Sequence, residues 1–209
     1  VGIQGNDPVH DLLRQGGEES MKVYKEHYRT GVRRMDYDIQ KLIEAQKSRN
    51  RYDKTMWILV ADHGESLGDH NELLHGASFY NSVINVPLII KAPNLPGNRQ
   101  KSTALISHVD LLPTIFEYVG AALPAGIDGV SMIPLLQGKQ EQIRAITISE
   151  GGVAQPQGEM PGAIIAPPWS LLLQEIGCDG PVEQSPPRNP GEVARCLYNL
   201  DSDPAQSTL

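Results

Sequence analysis

The run Thr55-Met56-Trp57-Ile58-Leu59-Val60-Ala61 constrains the fold more than any other part of the chain. It is continuously apolar, is bounded by Lys54 and Asp62, and is too short for a helix of ordinary length. Such a run reads as a strand buried on both faces, as in a parallel sheet. A second run, Val86-Pro87-Leu88-Ile89-Ile90-Lys91, stops at the loop Ala92-Pro93-Asn94-Leu95-Pro96-Gly97. Upstream, Met21, Tyr24, Tyr28, Val32, Met35, Ile39 and Leu42 recur at steps of three and four. That stripe predicts an amphipathic helix from Glu18 to Ser48, preceded by a polar lead-in over residues 1–17 that ends at Gly16-Gly17. A helix of about thirty residues is long for a globular protein, so its Met and Tyr stripe is expected to be core, laid across a large sheet or bundle.

Further on, Thr103 to Ser107 reads as extended, and a helix is expected from Asp110 to Val119. Pro113 fits only its first turn and Gly120 is its stop. Ser131 to Leu136 forms one more helical turn. This alternation predicts an α/β architecture, a mostly parallel sheet flanked by helices. From Arg144 onward the character changes to short strands at Ala145–Ile148, Gly162–Ile165, Ser170–Leu173 and Cys196–Leu200. Pro-rich segments separate them, including Pro181 to Pro190. The expected division is a main α/β part over residues 1–143 and a small antiparallel subdomain over 144–209.

The net charge of −7 leaves no basic footprint for nucleic acid. The run Lys47, Arg49, Arg51, Lys54 suits a solvated helix end. No apolar stretch approaches the roughly 20 residues needed to span a bilayer. Val1 is not an initiator Met, so the location in the cell is left unassigned. Cys178 and Cys196 lie in no zinc-binding spacing. Two unlinked thiols are expected, with a disulfide between them as the alternative.

The chemistry follows the first strand, in Ala61-Asp62-His63-Gly64-Glu65-Ser66-Leu67-Gly68-Asp69-His70. Open α/β sheets form ligand sites where strands run out into loops. Successive strand side chains point to opposite faces, so Asp62 and His63 can share one ion only if the chain leaves strand geometry, which Gly64 eases. Together they offer a mixed oxygen and nitrogen metal site. The competing reading is an Asp and a His solvating an ordinary loop.

The wider context resembles the sulfatase family of the alkaline-phosphatase superfamily. The matching features, in order, are Tyr28 and Asp36 on the long helix, Ala61-Asp62-His63-Gly64-Glu65, Leu67-Gly68-Asp69-His70 and Val86-Pro87-Leu88-Ile89-Ile90. After these come His108-Val109-Asp110-Leu111-Leu112-Pro113-Thr114, Gly126-Ile127-Asp128-Gly129-Val130-Ser131, and Leu197-Tyr198-Asn199-Leu200-Asp201-Ser202-Asp203-Pro204. The resemblance implies an incomplete alkaline-phosphatase-like fold and a sulfuric ester hydrolase. It implies Asp62 and His63 as metal ligands, with calcium favoured and manganese or zinc open. It places His75 where members contact the ester oxygens with a Lys or His. His70 and Glu65 are expected to be structural, and His108 and Asp110 to start a helix.

The sequence departs from the family in lacking its Cys/Ser-Xaa-Pro-Xaa-Arg nucleophile segment. Cys178-Asp179-Gly180-Pro181 and Ser185-Pro186-Pro187-Arg188 both have the wrong spacing. The early aspartates of the metal shell are missing too, His10 is a poor match to the His-Xaa-Pro-His segment, and Asn81 stands where many members carry Glu. The expectation is a C-terminal portion that works with the N-terminal portion of the same enzyme on a sulfate ester, as a small molecule or glycan. A phosphate or phosphonate ester hydrolase and a non-catalytic binding module are the alternatives.

Overall fold

The computed structural model describes residues 8–72, 74–76, 78–96, 101–151, 161–174, 178 and 194–207. The long helix α1 runs Pro8–Ser48, so residues expected as a lead-in are already helical. Its backbone leaves helical geometry once, at Gly17 (φ 57°, ψ −142°), a conformation open to glycine at little cost. The expected start at Glu18 therefore marks an interruption in the helix.

The stripe on α1 is not core. Tyr28, Val32, Met35 and Leu42 are each between 42% and 53% exposed, whereas Met21, Tyr24 and Ile39 are half-buried. The physical reason is that no apolar layer among the described residues lies against this part of the helix.

Strand β1, Trp57–Val60, pairs antiparallel with β2, Leu88–Lys91, from Trp57↔Lys91 to Val60↔Leu88. This corrects the expected parallel arrangement. Parallel neighbours need a crossover, usually helical, but between these strands lie only a single turn at Asp69–Asn71 and the one-turn helix α2, Asn81–Ile84. No parallel pair occurs among the described strands. The expected burial on both faces also fails, because the cross-strand partners Leu59 and Ile89 are 39% and 59% exposed.

Helix α3, Leu111–Val119, follows a turn at His108–Asp110. Ser107 and Asp110 form a reciprocal capping box there, and the helix closes on Gly120 in the left-handed region (φ 71°). Asp110 is fully buried. Its carboxylate accepts the backbone N–H of Ser107 and of Val130, each at 2.8 Å, and the Arg144 guanidinium through two nitrogens. Thr114 donates its hydroxyl to the Asp110 carbonyl and accepts the N–H of Met132. One buried carboxylate thereby ties the start of α3 to Val130 and to Arg144 before the next strand, while Thr114 links α3 to Met132 at the start of the short helix α4 (Ile133–Leu136).

The remaining strands, β3 (Thr147–Glu150), β4 (Gly162–Ala166), β5 (Trp169–Gln174) and β6 (Ala194–Asn199), form a four-stranded antiparallel sheet in sequence order. They lie close to the expected positions because period-two alternation is clear there: β6 is buried at every second residue. Ala163, Ile165, Leu172, Ala194, Cys196 and Tyr198 pack with Tyr80 from the other part of the chain. Two buried glutamines reinforce that junction. Gln174 accepts the N–H of Phe79 at 3.3 Å, while Gln206 accepts that of Asn81 at 2.7 Å and donates to Ser170 at 2.8 Å.

Cys178 and Cys196 are joined by a disulfide, which corrects the expectation of free thiols. The cause is the inward register of β6, which buries Cys196 and sets its Cα 5.4 Å from that of Cys178, within the range a bridge needs. The Pro181–Pro190 segment, Ser185-Pro186-Pro187-Arg188 and the chain before Pro8 lie outside the described residues. No described helix is long and apolar enough to cross a membrane.

Candidate active site

β1 ends at Val60, and the chain turns out of strand geometry at once. The Ala61 carbonyl accepts a hydrogen bond from His108 Nε2 at 2.8 Å, which anchors the end of the strand. Asp62 Oδ1 accepts the N–H of His63 at 3.0 Å, folding the carboxylate back over its neighbour. His63 Nδ1 lies 2.8 Å from the Gly64 carbonyl. A carbonyl can only accept, so Nδ1 carries the proton and the lone pair of the neutral ring is on Nε2. That nitrogen stands 3.7 Å from Asp62 Oδ2. Asp62 and His63 therefore face one point, although adjacent residues of a strand would not.

Gly64 contributes in a different way from the expected one. Its N–H donates to the Val83 carbonyl at 2.6 Å. A Cβ at this position would lie 1.9 Å from the Ser82 carbonyl oxygen. Only a residue without a side chain lets the site strand approach the start of α2 this closely.

The loop that follows closes on itself. Ser66 N–H donates to the Leu74 carbonyl at 3.0 Å, and Gly68 N–H to that of Glu72 at 2.9 Å. The buried Glu72 carboxylate accepts both the Ser66 hydroxyl, at 2.7 Å, and the Ser78 hydroxyl. His70, with φ 55°, stacks its ring on Tyr80 at 3.5 Å between centroids, in keeping with its expected structural role. The loop delivers His75 to His63, with ring centroids 4.0 Å apart and planes inclined by 31°.

The structure thus brings Asp62, His63 and His75 together. It also gives Glu65, expected only to be structural, a partner at the site, with Oε2 3.1 Å from His75 Nδ1. No sequence pattern signals a partner ten positions away in an irregular loop. Likewise His108 starts its helix as expected, but its ring also reaches back to Ala61, a contact that neither motif reveals.

The Asp62 carboxyl is held below its usual range. The N–H of His63 is the main cause, followed by its own backbone N–H and the neighbouring His63 charge. Its side chain is 90% exposed and that of His63 43%, so both remain open to further groups. On the other side of the loop, Tyr24 from α1 has its phenol pushed up to about 12, by burial first and then by the charge and hydrogen bonding of Glu65.

A carboxylate oxygen and an imidazole nitrogen at this spacing, with the imidazole oriented by a carbonyl on its other nitrogen, fit part of a divalent-ion shell. They are not a whole one. No group of three His, Cys, Asp or Glu able to hold a metal occurs among the described residues, and calcium takes about six to eight oxygen ligands. Beside the end of β1 opens a cavity of about 410 Å³, bounded by Val60, Leu88, Ser107, His108, Thr147 and Ile165.

The profile of the family described as Sulfatase matches residues 13–121, just over half of the chain. The chain belongs to the sulfatase family. Among its relatives, the Delta 4,5-hexuronate-2-O-sulfatase of Bacteroides thetaiotaomicron is 26% identical over 195 residues, covering 92% of this chain and 40% of the relative. Among solved structures, a 2-O GAG sulfatase superposes with a TM-score of 0.76 at 21% identity, covering 92% of this chain and 39% of that one. The phosphonate monoester hydrolase of Agrobacterium radiobacter gives a TM-score of 0.75 at 21% identity, covering 92% and 38%. At that identity the structural likenesses establish the sulfatase-like fold. The chain spans about 40% of the length of the sulfatase relative.

Proposed function

We propose that this chain carries part of the metal site and one substrate-contacting group of a sulfuric ester hydrolase, with Asp62 and His63 as metal ligands and His75 facing the ester. The observation that carries this reading is the 3.7 Å approach of Asp62 Oδ2 to His63 Nε2, with the His75 ring centroid 4.0 Å from that of His63. Calcium is the favoured ion, with manganese or zinc compatible with the nitrogen donor. When bound, such an ion offsets the negative charge of the ester and polarises the attacking group. His75 supplies a hydrogen bond or positive charge to the ester oxygens as charge develops on them.

The nucleophile and the remaining ligands are assigned to the N-terminal portion of the same enzyme. Two features support a missing partner layer: the exposed stripe Tyr28, Val32, Met35 and Leu42 on α1, and the exposed pair Leu59 and Ile89. The isolated chain is accordingly assigned no turnover. Two of the similar proteins are named for 2-O-sulfated sugar substrates, which favours a sulfate ester on a glycan here.

A phosphonate or phosphodiester ester is the second reading, since a phosphonate monoester hydrolase shares the fold to nearly the same degree. The two separate by assay of the full-length protein on paired sulfate and phosphonate aryl esters. Calorimetric titration of calcium into that protein tests the common core of both readings. Asp62→Ala is expected to weaken binding by about tenfold or more. An unchanged affinity removes the metal assignment and leaves a non-catalytic module.

A further inference from the structure

We propose that Glu65 is a positioning residue for His75: its carboxylate fixes the ring proton on Nδ1 and leaves Nε2 as the ring nitrogen available to a molecule bound beside His63. The catalytic meaning of this device rests on the hydrolase reading above; the tautomer itself does not.

The geometry is a carboxylate–imidazole pair, with Glu65 Oε2 3.1 Å from His75 Nδ1. An ionised carboxylate only accepts hydrogen bonds, so Nδ1 must carry a proton whenever the contact is made. The neutral side chain of a free histidine in water prefers the proton on Nε2. The protein therefore holds the minority form of the neutral ring.

Both members are built in. The Glu65 side chain is only 11% exposed, and its second oxygen, Oε1, is buried without a hydrogen-bond partner. The Tyr24 phenol of α1 also donates a hydrogen bond to this carboxylate, so Glu65 is held from the helix side while Oε2 faces His75.

The loop locks the pair in register. Ser66, next to Glu65, bonds through its N–H to the carbonyl of Leu74, next to His75. Glu72 binds the hydroxyls of Ser66 and Ser78 and so clasps the two sides of the same loop. Glu65 and His75 meet because this short ladder places them opposite one another. His75 then presents its far edge beside His63, whose own tautomer is set the same way by the Gly64 carbonyl. Two adjacent imidazoles, each with Nδ1 committed to a protein acceptor, offer both Nε2 atoms to whatever occupies the site.

Selective ¹⁵N-histidine labelling of the full-length protein reads the tautomer directly at a pH above imidazole titration, with His75→Gln used to assign the resonance. The expected wild-type result is His75 in the Nδ1–H form by about tenfold or more. Glu65→Ala should swing it to the Nε2–H form, and Glu65→Gln, which keeps an acceptor oxygen, should restore Nδ1–H. A wild-type His75 in the Nε2–H form overturns the proposal, as does an Nδ1–H form that survives in Glu65→Ala. If Glu65→Ala does not fold, Glu65→Leu, which keeps the bulk without an acceptor, takes its place: loss of the Nδ1–H form supports the proposal and its survival overturns it. Because the readout needs no turnover, a chain that proves not to belong to a hydrolase leaves it intact. A wrong tautomer, in turn, leaves calcium binding through Asp62 and His63 untouched.

Discussion

Gln206 Oε1 accepts the backbone N–H of Asn81 at 2.7 Å, so a side chain at the far end of the chain holds the segment that leads from the site loop into β2. The same amide donates to Ser170 in the middle of the antiparallel sheet. The sheet therefore does more than cap the fold. Through Gln206 and Gln174 it sets the position of the residues just after His75.

Replacing Gln206 by Ala should strand a buried hydroxyl and a part-buried N–H at once. The expected loss is about 1–3 kcal/mol in urea denaturation. No change would mean that the sheet and the site loop are coupled only by apolar packing around Tyr80.

Asp110→Ala removes the carboxylate that gathers Ser107, Val130 and Arg144 and leaves the 16%-exposed Arg144 without that partner. Breaking a buried pair from one side costs about 3–5 kcal/mol. Arg144→Ala should cost less than that, and the double variant less than the sum of the two. Additivity in the double variant would show that the two groups act independently.

The Cys178–Cys196 bridge closes a loop with a sequence separation of 18. Cys178→Ser should lower stability by about 3 kcal/mol on the loop-entropy account. Intact mass before and after reduction under denaturing conditions checks the bridge itself, since the wild-type chain must gain two protons' worth of mass.

Tyr24 should titrate late. Its ordinary value is 10.0 and the folded value is about 12. The folded state thus holds this proton more tightly than the unfolded one. The stability linked to it is complete below pH 10 and is lost as pH rises toward 12. The tyrosinate absorbance of wild type minus Tyr24→Phe should rise only near the upper value, and a rise centred at the lower one would show that Glu65 and burial exert no hold on the phenol.

Elements whose pattern is local were legible in the sequence. β3 to β6 lie close to the short runs read as strands, and α3 follows the helix expected from Asp110 to Val119 with its Gly120 stop. What failed depended on partners far along the chain or outside the described residues. The apolar stripe of α1 correctly marked a helix but could not say what lies against it. The continuous run of β1 fitted a parallel neighbour equally well, because hydrophobicity alone carries no strand direction. Cys196 gave no hint of its inward register. The Glu65–His75 contact arises from loop closure through Glu72, for which no periodicity exists.

The crowding at Gly64 has a further consequence. Its backbone rests so directly on Ser82 that the Asp62–Gly64 turn and the lead-in to β2 share one footing. A shift of that second segment by even a fraction of an ångström moves the bed on which Asp62 and His63 lie. On the proposed metal reading, substitutions at Ser82 or Val83 should then register as altered ion affinity, and the short helix becomes a place where the site can be tuned from behind.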